Sequence, residues 1–316
     1  MMRVLFVMDP LDHLDPRWDT SLCLLEEFAR RCHRSWTADT LDIRYEKKRV
    51  LANARQISPS SSQTYRLSEP ASYPLTRFDL ILIRKEPPFD LNYLYLTYLL
   101  ELVSGKVPVV NHPRGIRNAN EKLAALHFPG WNPETLVTSS VDQVLAFQDR
   151  LKEDMVLKPL NQKGGKDILL VKYQNKGGIA KKMLLQATKN NREFILAQRF
   201  IQHKRVRGDK RILILNGEIL TAFEKRPPQG DFRSNLSLGG TAHPTKLTSK
   251  EKKLAQEMKP YLLQEGLLLV GLDVMAERLI EINVTCASGI VDAKALYPEL
   301  ALVEAWADSL EALAQT

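Results

Sequence analysis

Cysteine is scarce in this chain of 316 residues, which has Cys23, Cys32 and Cys286 and no others. Their spacing forms neither a disulfide framework nor a zinc-binding pattern. Cys23 and Cys32 are nine positions apart, which is half a turn out of phase on a helix, so these two thiols should not meet. A cysteine complement this small predicts a reduced, cytoplasmic protein.

Long hydrophobic runs are absent as well. No stretch approaches the roughly 18 apolar residues that a membrane span requires. The first ten residues contain too short an apolar run for a signal peptide and lack a small-residue cleavage site, so they predict a first buried strand instead. We therefore expect no membrane partner.

Charge of one sign does not dominate, although the balance is basic. The chain has 45 Lys and Arg against 37 Asp and Glu, and its net charge of +8 favours anionic partners such as nucleic acid or a phosphate-bearing small molecule. No block of Lys and Arg interleaved with aromatic residues is present, and Lys47-Lys48-Arg49 is typical of a solvated turn. Nucleic acid is therefore not an expected partner. The Walker pattern of phosphate-binding loops is also missing.

Strand and helix patterns alternate in the first third of the chain. Residues 4–8 and 80–83 are predicted buried strands, and residues 20–31 form a predicted amphipathic helix between them. Such alternation predicts a parallel, doubly wound sheet. Ligands bind beyond the carboxyl ends of strands in these sheets, which places Asp9 and Arg84 at a candidate rim.

The remaining two thirds change in character. The middle part reads as a small α+β unit, and the last third is rich in strands that helices cover. We expect helices near residues 115–126 and 298–313, a polar hairpin over residues 42–57 and a low-complexity loop at residues 58–62.

The most informative segment covers residues 270–284, where two alternating runs flank a short turn and so predict a β-hairpin. If the turn is centred on Glu277, Asp273 lies opposite Glu281 with Cβ atoms roughly 4.5–5.5 Å apart, where like charges repel. With Asn283 on the same face, these oxygen donors suit Mg²⁺. A solvated polar face is the alternative. The opposite, apolar face is predicted to comprise Leu272, Val274, Ile280, Ile282 and Val284.

A glycine-containing loop follows Lys158 in the middle unit. Gly164 and Gly165 would let backbone N–H groups approach phosphate oxygens closely, as in a flexible flap over a nucleotide. A plain β-turn is the alternative.

A second polar loop covers residues 226–240. Its Arg233 and Asn235 suit an anion that develops charge, because Arg offers fork-like donors matched to phosphate or carboxylate. Arg211, near the start of a predicted strand, could point to the same place. A solvated surface loop is the alternative.

These features together resemble the bacterial-type glutathione synthetase family of the ATP-grasp superfamily, over nearly the whole chain. The matching landmarks include Met8-Asp9-Pro10, Arg84-Lys85-Glu86-Pro87-Pro88, Asn120-Glu121-Lys122-Leu123, Lys158-Pro159-Leu160, Gly164-Gly165, Asp209-Lys210-Arg211, Gly271-Leu272-Asp273 and Glu281-Ile282-Asn283-Val284-Thr285.

The resemblance implies a fold of mixed α/β and α+β class, an ATP-grasp fold with an N-terminal doubly wound parallel-sheet domain. The implied parts are an N-terminal substrate domain at 1–121, a central lid at 122–198 and a C-terminal catalytic part at 199–316. ATP would lie between the last two parts, and Mg²⁺, with Mn²⁺ as an alternative, would accompany it. The family also implies a homotetramer.

The resemblance further implies roles for individual residues. Lys122 and Lys158 would contact the ATP phosphates, and Gln198 would sit at the adenine hinge beside Phe200. The implied ATP-binding set is Lys122, Lys158, Lys163, Gly164, Gly165, Gln198, Phe200 and Asp209. The implied metal ligands are Asp273, Glu281 and Asn283. Arg211, Arg233 and Asn235 would stabilise the transition state. The implied substrate residues are Arg84, Thr285, Cys286, Ser288 and Gly289.

The activity that the resemblance implies joins γ-glutamylcysteine to glycine through an acyl phosphate, giving glutathione, ADP and phosphate. Two segments depart from the family pattern. Cys286-Ala287-Ser288 stands where the family has Ser-Pro-Thr, and Asn161-Gln162-Lys163 precedes the two flap glycines where the family has Asp-Gly-x. A related ligase with another acceptor or donor, and a non-catalytic ATP-binding module, are the alternative functions.

Overall fold

The computed structural model describes residues 1–61, 64–162, 164–165, 167–175, 178–201 and 208–315. In chain order its strands are β1 (Arg3–Met8), β2 (Arg34–Ala38), β3 (Ile43–Glu46), β4 (Arg49–Ser61), β5 (Thr64–Leu67), β6 (Ala71–Pro74), β7 (Leu80–Arg84), β8 (Val109–Val110), β9 (Thr135–Thr138), β10 (Met155–Pro159), β11 (Leu169–Val171), β12 (Ile195–Arg199), β13 (Asp209–Leu215), β14 (Glu218–Arg226), β15 (Thr241–Pro244), β16 (Leu269–Met275) and β17 (Arg278–Asn283). Its α-helices are α1 (Thr20–Arg30), α2 (Leu91–Ser104), α3 (Pro113–Asn118), α4 (Val141–Leu151), α5 (Gly178–Ala187), α6 (Ser249–Gln264), α7 (Ile290–Leu296) and α8 (Leu302–Ala314).

The first sheet runs in the order β3-β4-β2-β1-β7-β8, and β5 and β6 also pair with β4. Strands β2, β1, β7 and β8 pair in parallel, whereas β4 joins β2 antiparallel. Successive side chains of a strand point to opposite faces, so Phe6 packs in one core with Leu25 of α1 and Val7 in another with Leu96 of α2. The doubly wound parallel sheet is confirmed in these four strands, and antiparallel strands extend it.

The second sheet has four antiparallel strands in the order β11-β10-β12-β9. Leu157 of β10 faces a small core that includes Phe147 of α4 and Leu184 of α5. Lys158 and Gln198, on alternate positions of β10 and β12, therefore lie on the opposite face, which lines a cavity shared with the third sheet. The predicted α+β unit in the middle of the chain is confirmed.

The third sheet is antiparallel in the order β15-β14-β13-β16-β17. Alternation in β13 places Asp209, Arg211, Leu213 and Leu215 on one face. Leu213 and Leu215 pack in the core that also holds β1, α1 and α8, whereas Asp209 and Arg211 are buried charged residues. The same face thus changes from apolar to charged along its length, and the charged half lines the cavities described below.

Asn111 joins the N-terminal domain to the third sheet. Its amide nitrogen donates to the carbonyls of Leu269 (2.9 Å) and Val284 (2.8 Å), and its oxygen accepts from the N–H groups of Leu268 (2.8 Å) and Leu269 (3.1 Å). A buried amide whose donors and acceptors are all paired fixes the position of its partners. β16, which carries Asp273, is held in this way against the first domain.

The helix predicted over residues 115–126 is wrong in length, because α3 ends at Asn118. The side-chain oxygen of Asn120 accepts hydrogen bonds from the N–H groups of Lys122 and Leu123, each at 3.1 Å. Asn side chains compete with the helical backbone in this way and start a turn. The turn carries Lys122 out of the helix and into the site.

Two further predictions need correction, and two elements were not predicted. The helix predicted at residues 298–313 begins at Leu302, and the sequence analysis missed α7 and β9. The loop predicted at residues 58–62 is strand through Ser61, because β5 turns back to pair with β4 there. The hairpin over residues 42–57 is confirmed as β3 and β4, with Lys47 and Lys48 at positive φ in its exposed turn.

Candidate functional site

Two cavities adjoin at the charged half of the third sheet. The larger, about 440 Å³, lies between the N-terminal domain and this sheet. The smaller, about 110 Å³, lies between the second and third sheets. The residues that line both are Gly164, Lys225, Asn235, Asp273 and Glu281. A group bound in one cavity therefore meets a group bound in the other at these residues.

The polar wall of the small cavity comes from the second sheet. Lys158 Nζ donates to Gln198 Oε1 at 3.0 Å, and Gln198 Nε2 donates to Thr135 Oγ1 at 2.9 Å. Burial lowers the pKa of Lys158. The chain Lys158–Gln198–Thr135 thus fixes a desolvated ammonium group where an anion would regain favourable contact.

The small cavity also has an apolar part. Its apolar lining residues are Val156, Ile168, Phe200, Ile201, Phe232, Met275 and Ile280. The rings of Phe200 and Phe232 meet edge to face at 5.8 Å. Aromatic and aliphatic walls with a polar end suit a flat heterocycle such as a purine.

Ile280 lines this cavity because of a bulge that the sequence analysis did not foresee. The register shifts after Asp273, so that Val274 pairs with Leu279. A bulge reverses which face the following side chains occupy, and Leu279 therefore enters the core. The prediction that Ile280 belongs to the core face is wrong, and the bulge turns it to the cavity instead.

Lys122 stands where the small cavity meets the hairpin of β16 and β17. Its ammonium group donates to the Gln162 carbonyl at 2.6 Å and lies 3.2 Å from Glu281 Oε1. The side chain is only 5% exposed. Lys122 and Lys158 both line this cavity, and their contact with ATP phosphates stays a prediction.

The predicted hairpin is confirmed, and so is the predicted pairing of its two acidic residues, because Asp273 lies directly opposite Glu281. Asp273 accepts from Arg211 Nε (2.7 Å), Arg211 Nη2 (3.1 Å) and Asn283 Nδ2 (3.3 Å), and Lys225 Nζ lies 3.1 Å away. Burial raises the pKa of Asp273, but the charges of Arg211 and Lys225 outweigh burial and hold that pKa well below its usual value. Asp273 is thus a buried, ionised carboxylate at the meeting point of the cavities.

Asp209 belongs to the same network. Lys225 Nζ lies 2.6 Å from Asp209 Oδ2, and the Ser234 hydroxyl donates to Asp209 Oδ1. Burial lowers the pKa of Lys225, but Asp209 and Asp273 together raise it above its usual value, so Lys225 is charged. Asp209 also lines the small cavity, so its contact with ATP stays a prediction; in the protein alone it holds Lys225.

The polar loop of residues 226–240 meets the glycine loop. Arg233 is bound by Asp231, and its Nη1 donates to the Gly165 carbonyl at 3.2 Å. A Cβ atom on Gly165 would lie 2.4 Å from Asn235 Oδ1. Arg233 and Asn235 therefore contact the loop predicted to be a flap. Lys163, also predicted to belong to it, lies outside the described residues.

Two family models together match most of the chain. The one described as prokaryotic glutathione synthetase, N-terminal domain, matches residues 2–117, and the one described as prokaryotic glutathione synthetase, ATP-grasp domain, matches residues 121–298. The chain belongs to the prokaryotic glutathione synthetase family.

Individual relatives agree. Glutathione synthetase of Prochlorococcus marinus is 40% identical over 296 residues, 93% of this chain and 94% of the relative. That of Gloeobacter violaceus is 36% identical over 93% of this chain and 92% of the relative. The glutathione synthetase of Escherichia coli is 35% identical over 100% of this chain and 99% of the relative.

Solved structures show the same fold at low identity. A D-cycloserine synthetase aligns with a TM-score of 0.64 at 15% identity, over 97% of this chain and 99% of that one. D-alanyl-alanine synthetase A from Vibrio cholerae aligns with a TM-score of 0.60 at 13% identity, over 99% and 98%. These likenesses confirm the ATP-grasp fold predicted from the sequence.

Arg84, which resemblance to the family implied as a substrate residue, lines the large cavity but is 6% exposed. Its Nε donates to Ser21 Oγ at 3.0 Å and its Nη2 to the Ala287 carbonyl at 3.1 Å. The guanidinium group also lies over the Trp306 ring at 5.3 Å. These contacts join the first domain to the segment beside the cavity, so Arg84 holds the wall in place.

The segment from Thr285 to Gly289, implied as the acceptor side in this family, does line the large cavity. The Ser288 carbonyl accepts from Arg211 Nη1 at 2.8 Å. The Cys286 thiol contacts the Arg84 carbonyl at 3.3 Å, and burial raises its pKa well above its usual value. Cys286 is therefore a buried thiol and not a thiolate nucleophile.

Three residues of the site were missed. Glu121 accepts from the N–H groups of Val284 (3.1 Å) and Thr285 (3.2 Å) and from the Thr285 hydroxyl (2.7 Å). Burial, with the nearby charge of Glu281, raises the pKa of Glu121. The only signal in the sequence for Glu121 was its position next to Lys122, which was predicted to belong to the site.

Lys225 was missed because no motif singled it out; it lies near the end of β14, which runs from Glu218 to Arg226. The alternation of β14 would have pointed it to the face of Asp209, with which it pairs. Asp292, also missed, lines the large cavity, and burial raises its pKa to about 6.

Two properties of the described residues bear on other classes of site. None of the described helices is long and apolar enough to cross a membrane. Within that same part of the chain, no three His, Cys, Asp or Glu side chains cluster as a metal site. A metal site here would therefore need further donors, such as Asn283 or groups of a bound ligand.

Proposed function

We propose that this chain joins γ-glutamylcysteine to glycine at the expense of ATP, giving glutathione, ADP and phosphate. It is an ATP-dependent carboxylate–amine ligase of the ATP-grasp fold, as its family membership shows. The observation that carries the proposed reaction is the adjoining of the two cavities. They share the residues at which a nucleotide phosphate and a substrate carboxylate would have to meet.

ATP would occupy the small cavity. Its purine would lie against Phe200 and Ile280, and its phosphates would extend to Lys122 and Lys158. A cavity of about 110 Å³ is below the roughly 300 Å³ of the smallest ordinary ligand pockets. The loop with Gly164 and Gly165 would therefore have to move away for the nucleotide to enter.

The residues of the hairpin fit Mg²⁺, with Mn²⁺ as an alternative. Asn283 Nδ2 donates to the Gly271 carbonyl and to Asp273, which leaves its Oδ1 as the ligand atom. Glu281 is a quarter exposed at the cavity wall. Glu281 and Asn283 would hold the cation by oxygen, as hard cations require. When bound, it would neutralise charge on the phosphates and polarise the transferred phosphoryl group.

The chain's own residues position the two substrates and neutralise the charge on the phosphates. Lys122 and Lys158 supply two fixed positive charges for the phosphates. The γ-glutamylcysteine carboxylate attacks the γ-phosphorus and ADP leaves. The glycine amine then attacks the acyl carbon, an N–C bond forms, and phosphate leaves with the acyl C–O bond broken. Asn235, which lines both cavities, and Arg233 would donate to the developing oxyanion.

Arg211 has a different part in this proposal from the one implied by the family resemblance. Its guanidinium group is engaged by Asp273 and by the Ser288 carbonyl. It therefore ties the hairpin to the acceptor segment, and Ser288 and Gly289 would form the wall that meets the incoming amine. No covalent enzyme intermediate is required, since an acyl phosphate supplies the activated carbonyl.

The test is release of ADP by the full chain with γ-glutamylcysteine and ATP–Mg²⁺, with glycine compared against a panel of small amines. We expect glycine to give the largest amine-dependent rate. If another amine releases ADP and glycine does not exceed the amine-free control, the proposed acceptor is wrong. The altered segment of Cys286, Ala287 and Ser288 is the observation that keeps the different-acceptor ligase as the second candidate.

We further propose that the chain forms a homo-oligomer, a tetramer by analogy with its family. Its α2 is apolar on most sides, and the helix leaves Leu91, Tyr95, Tyr98 and Leu102 from 50% to 65% exposed along one stripe. Light scattering measures the molar mass of the wild type and of Tyr95→Lys, and we expect the variant to form smaller assemblies. A monomeric wild type contradicts the proposal. A location in the cytoplasm stays a prediction.

A further inference from the structure

A buried lysine lies beside the predicted metal ligands. Lys225 is 5% exposed, and its Nζ lies 2.6 Å from Asp209 Oδ2 and 3.1 Å from Asp273 Oδ1. Its position follows from register, because Lys225 pairs with Asp209 across β13 and β14, and Arg211 pairs with Asp273 across β13 and β16. The ammonium group is therefore built into the sheet between two carboxylates.

The carboxylate of Asp273 is saturated by these neighbours. Its Oδ1 receives Arg211 Nε and Lys225 Nζ, and its Oδ2 receives Arg211 Nη2 and Asn283 Nδ2. A carboxylate has about four lone-pair positions. The four donors use them all, so a cation that bound to Asp273 would have to displace at least one.

Charge balance leads to the same point. Asp273 is ionised and lies beside the charged Arg211 and Lys225, whereas burial raises the pKa of Asp209 against the opposing effect of Lys225. A divalent cation placed at Asp273 would therefore lie beside two fixed positive charges, which repel it. Glu281 and Asn283 lie at the open side of the same hairpin and do not share this restriction.

We propose that the Lys225 ammonium takes the place of a divalent cation at Asp273, so that this chain binds one divalent cation per nucleotide, at Glu281 and Asn283. The inference rests on the proposed use of ATP. Lys225 is then a positioning residue: it fixes Asp273 and Asp209 and supplies a permanent charge beside the phosphates. Asp273 in turn acts through Arg211 and Asn283 and does not bind the cation.

The experiment titrates Mn²⁺ into the full chain with a non-hydrolysable ATP analogue. Protein is in excess over the analogue, so that all nucleotide is bound, and free Mn²⁺ is measured by electron paramagnetic resonance. We expect one Mn²⁺ per bound nucleotide in the wild type. Lys225→Met removes the charge at similar length, and we expect it to bind a second Mn²⁺ at least about tenfold more tightly than the wild type does.

Two further variants complete the design. Lys225→Arg keeps the charge and should retain one Mn²⁺ per nucleotide. Lys210→Met is the matched control, because Lys210 is a neighbouring lysine of the same sheet that pairs with Glu251 on the other face; it should behave as the wild type.

The outcomes separate the two proposals. A wild type that binds two Mn²⁺ per nucleotide with similar affinity overturns the role of Lys225, and so does a Lys225→Met protein with unchanged stoichiometry. If Lys225→Met does not fold, the stoichiometries of the wild type and Lys225→Arg still decide, because either one binding two ions contradicts the inference. Absence of any nucleotide binding would instead contradict the proposed function.

Discussion

Asp273 and Glu281 face each other across the β16–β17 hairpin, yet each carboxylate is held by a different positively charged side chain. Arg211 holds Asp273 from within the sheet, and Lys122 lies 3.2 Å from Glu281 at the cavity wall. The repulsion expected between two opposed carboxylates is therefore already offset in the protein alone. What distinguishes the two is access, because Glu281 is 25% exposed at its side chain and Asp273 only 6%.

Glu281→Gln should reduce kcat/KM by about 100-fold or more, since loss of a metal ligand exceeds the 10- to 100-fold cost of losing an outer partner. The substitution keeps the shape, so the melting temperature should change by about 2 °C or less. Steady-state release of ADP and a thermal melt measure the two effects. Glu277→Gln, in the exposed turn of the same hairpin, is the control. Normal turnover by Glu281→Gln would remove Glu281 from the site.

Lys158→Met should weaken binding of a non-hydrolysable ATP analogue by about 10- to 100-fold, the worth of a lost hydrogen bond to a charged group. The free protein should not lose stability, because burial disfavours the charged form of Lys158 and lowers its pKa. Calorimetric titration and a thermal melt test both points. Lys181→Met, at an exposed position of α5, is the matched control. Unchanged affinity in Lys158→Met would show that the phosphates bind elsewhere.

Gly165→Ala should lower kcat by about tenfold. Gly165 has φ +74°, and an added Cβ would lie 2.4 Å from Asn235 Oδ1, so the loop could not close in its present form. Gly130→Ala is the control, since Gly130 also has positive φ, +92°, but nothing lies within 4 Å of its added Cβ. Equal loss of kcat in both variants would assign the effect to backbone strain alone.

The same loop should respond to nucleotide. Hydrogen exchange at Gly164 and Gly165 should be fast in the free protein and slow with ATP and Mg²⁺, as expected for a flap that closes over phosphates. Exchange that is slow in both states would indicate a rigid turn.

Asp292→Asn should stabilise the protein at neutral pH. Burial raises the pKa of Asp292 to about 6, from a usual value of 3.8, so the native state is favoured while this carboxyl is protonated, and that contribution is lost as pH rises from about 4 to about 6. The variant should gain about 1–2 kcal/mol in the free energy of unfolding near pH 7.5 and nothing near pH 4. This value is reduced from the full effect of the pKa shift because Asp292 is partly exposed. Denaturant titrations at both values measure it. An equal difference at both would exclude titration of Asp292 as the cause.

Period-2 alternation in the sequence by itself determines much of the charged part of the site. In residues 270–284 it predicted the hairpin and placed Asp273, Glu281 and Asn283 on one face, because side-chain direction within a strand follows parity. The turn lies at Ala276 and Glu277, so Asp273 pairs with Glu281 only because of the bulge. The strand–helix alternation of the first third likewise set the parallel sheet. The resemblance to a family then supplied Lys122, Lys158 and Gln198, which lie together in the small cavity.

Tertiary structure decided the rest. The bulge after Asp273 moved Ile280 from the core to the cavity, and no local pattern signals a register shift of one residue. Whether Asp273 is free to bind a cation depended on Arg211 and Lys225, which are about 50 to 60 positions away in sequence and reach it only across strands of the folded sheet. Sequence determined which side chains share a face, because that is local geometry; the fold decided which charges they meet, because those partners come from distant segments.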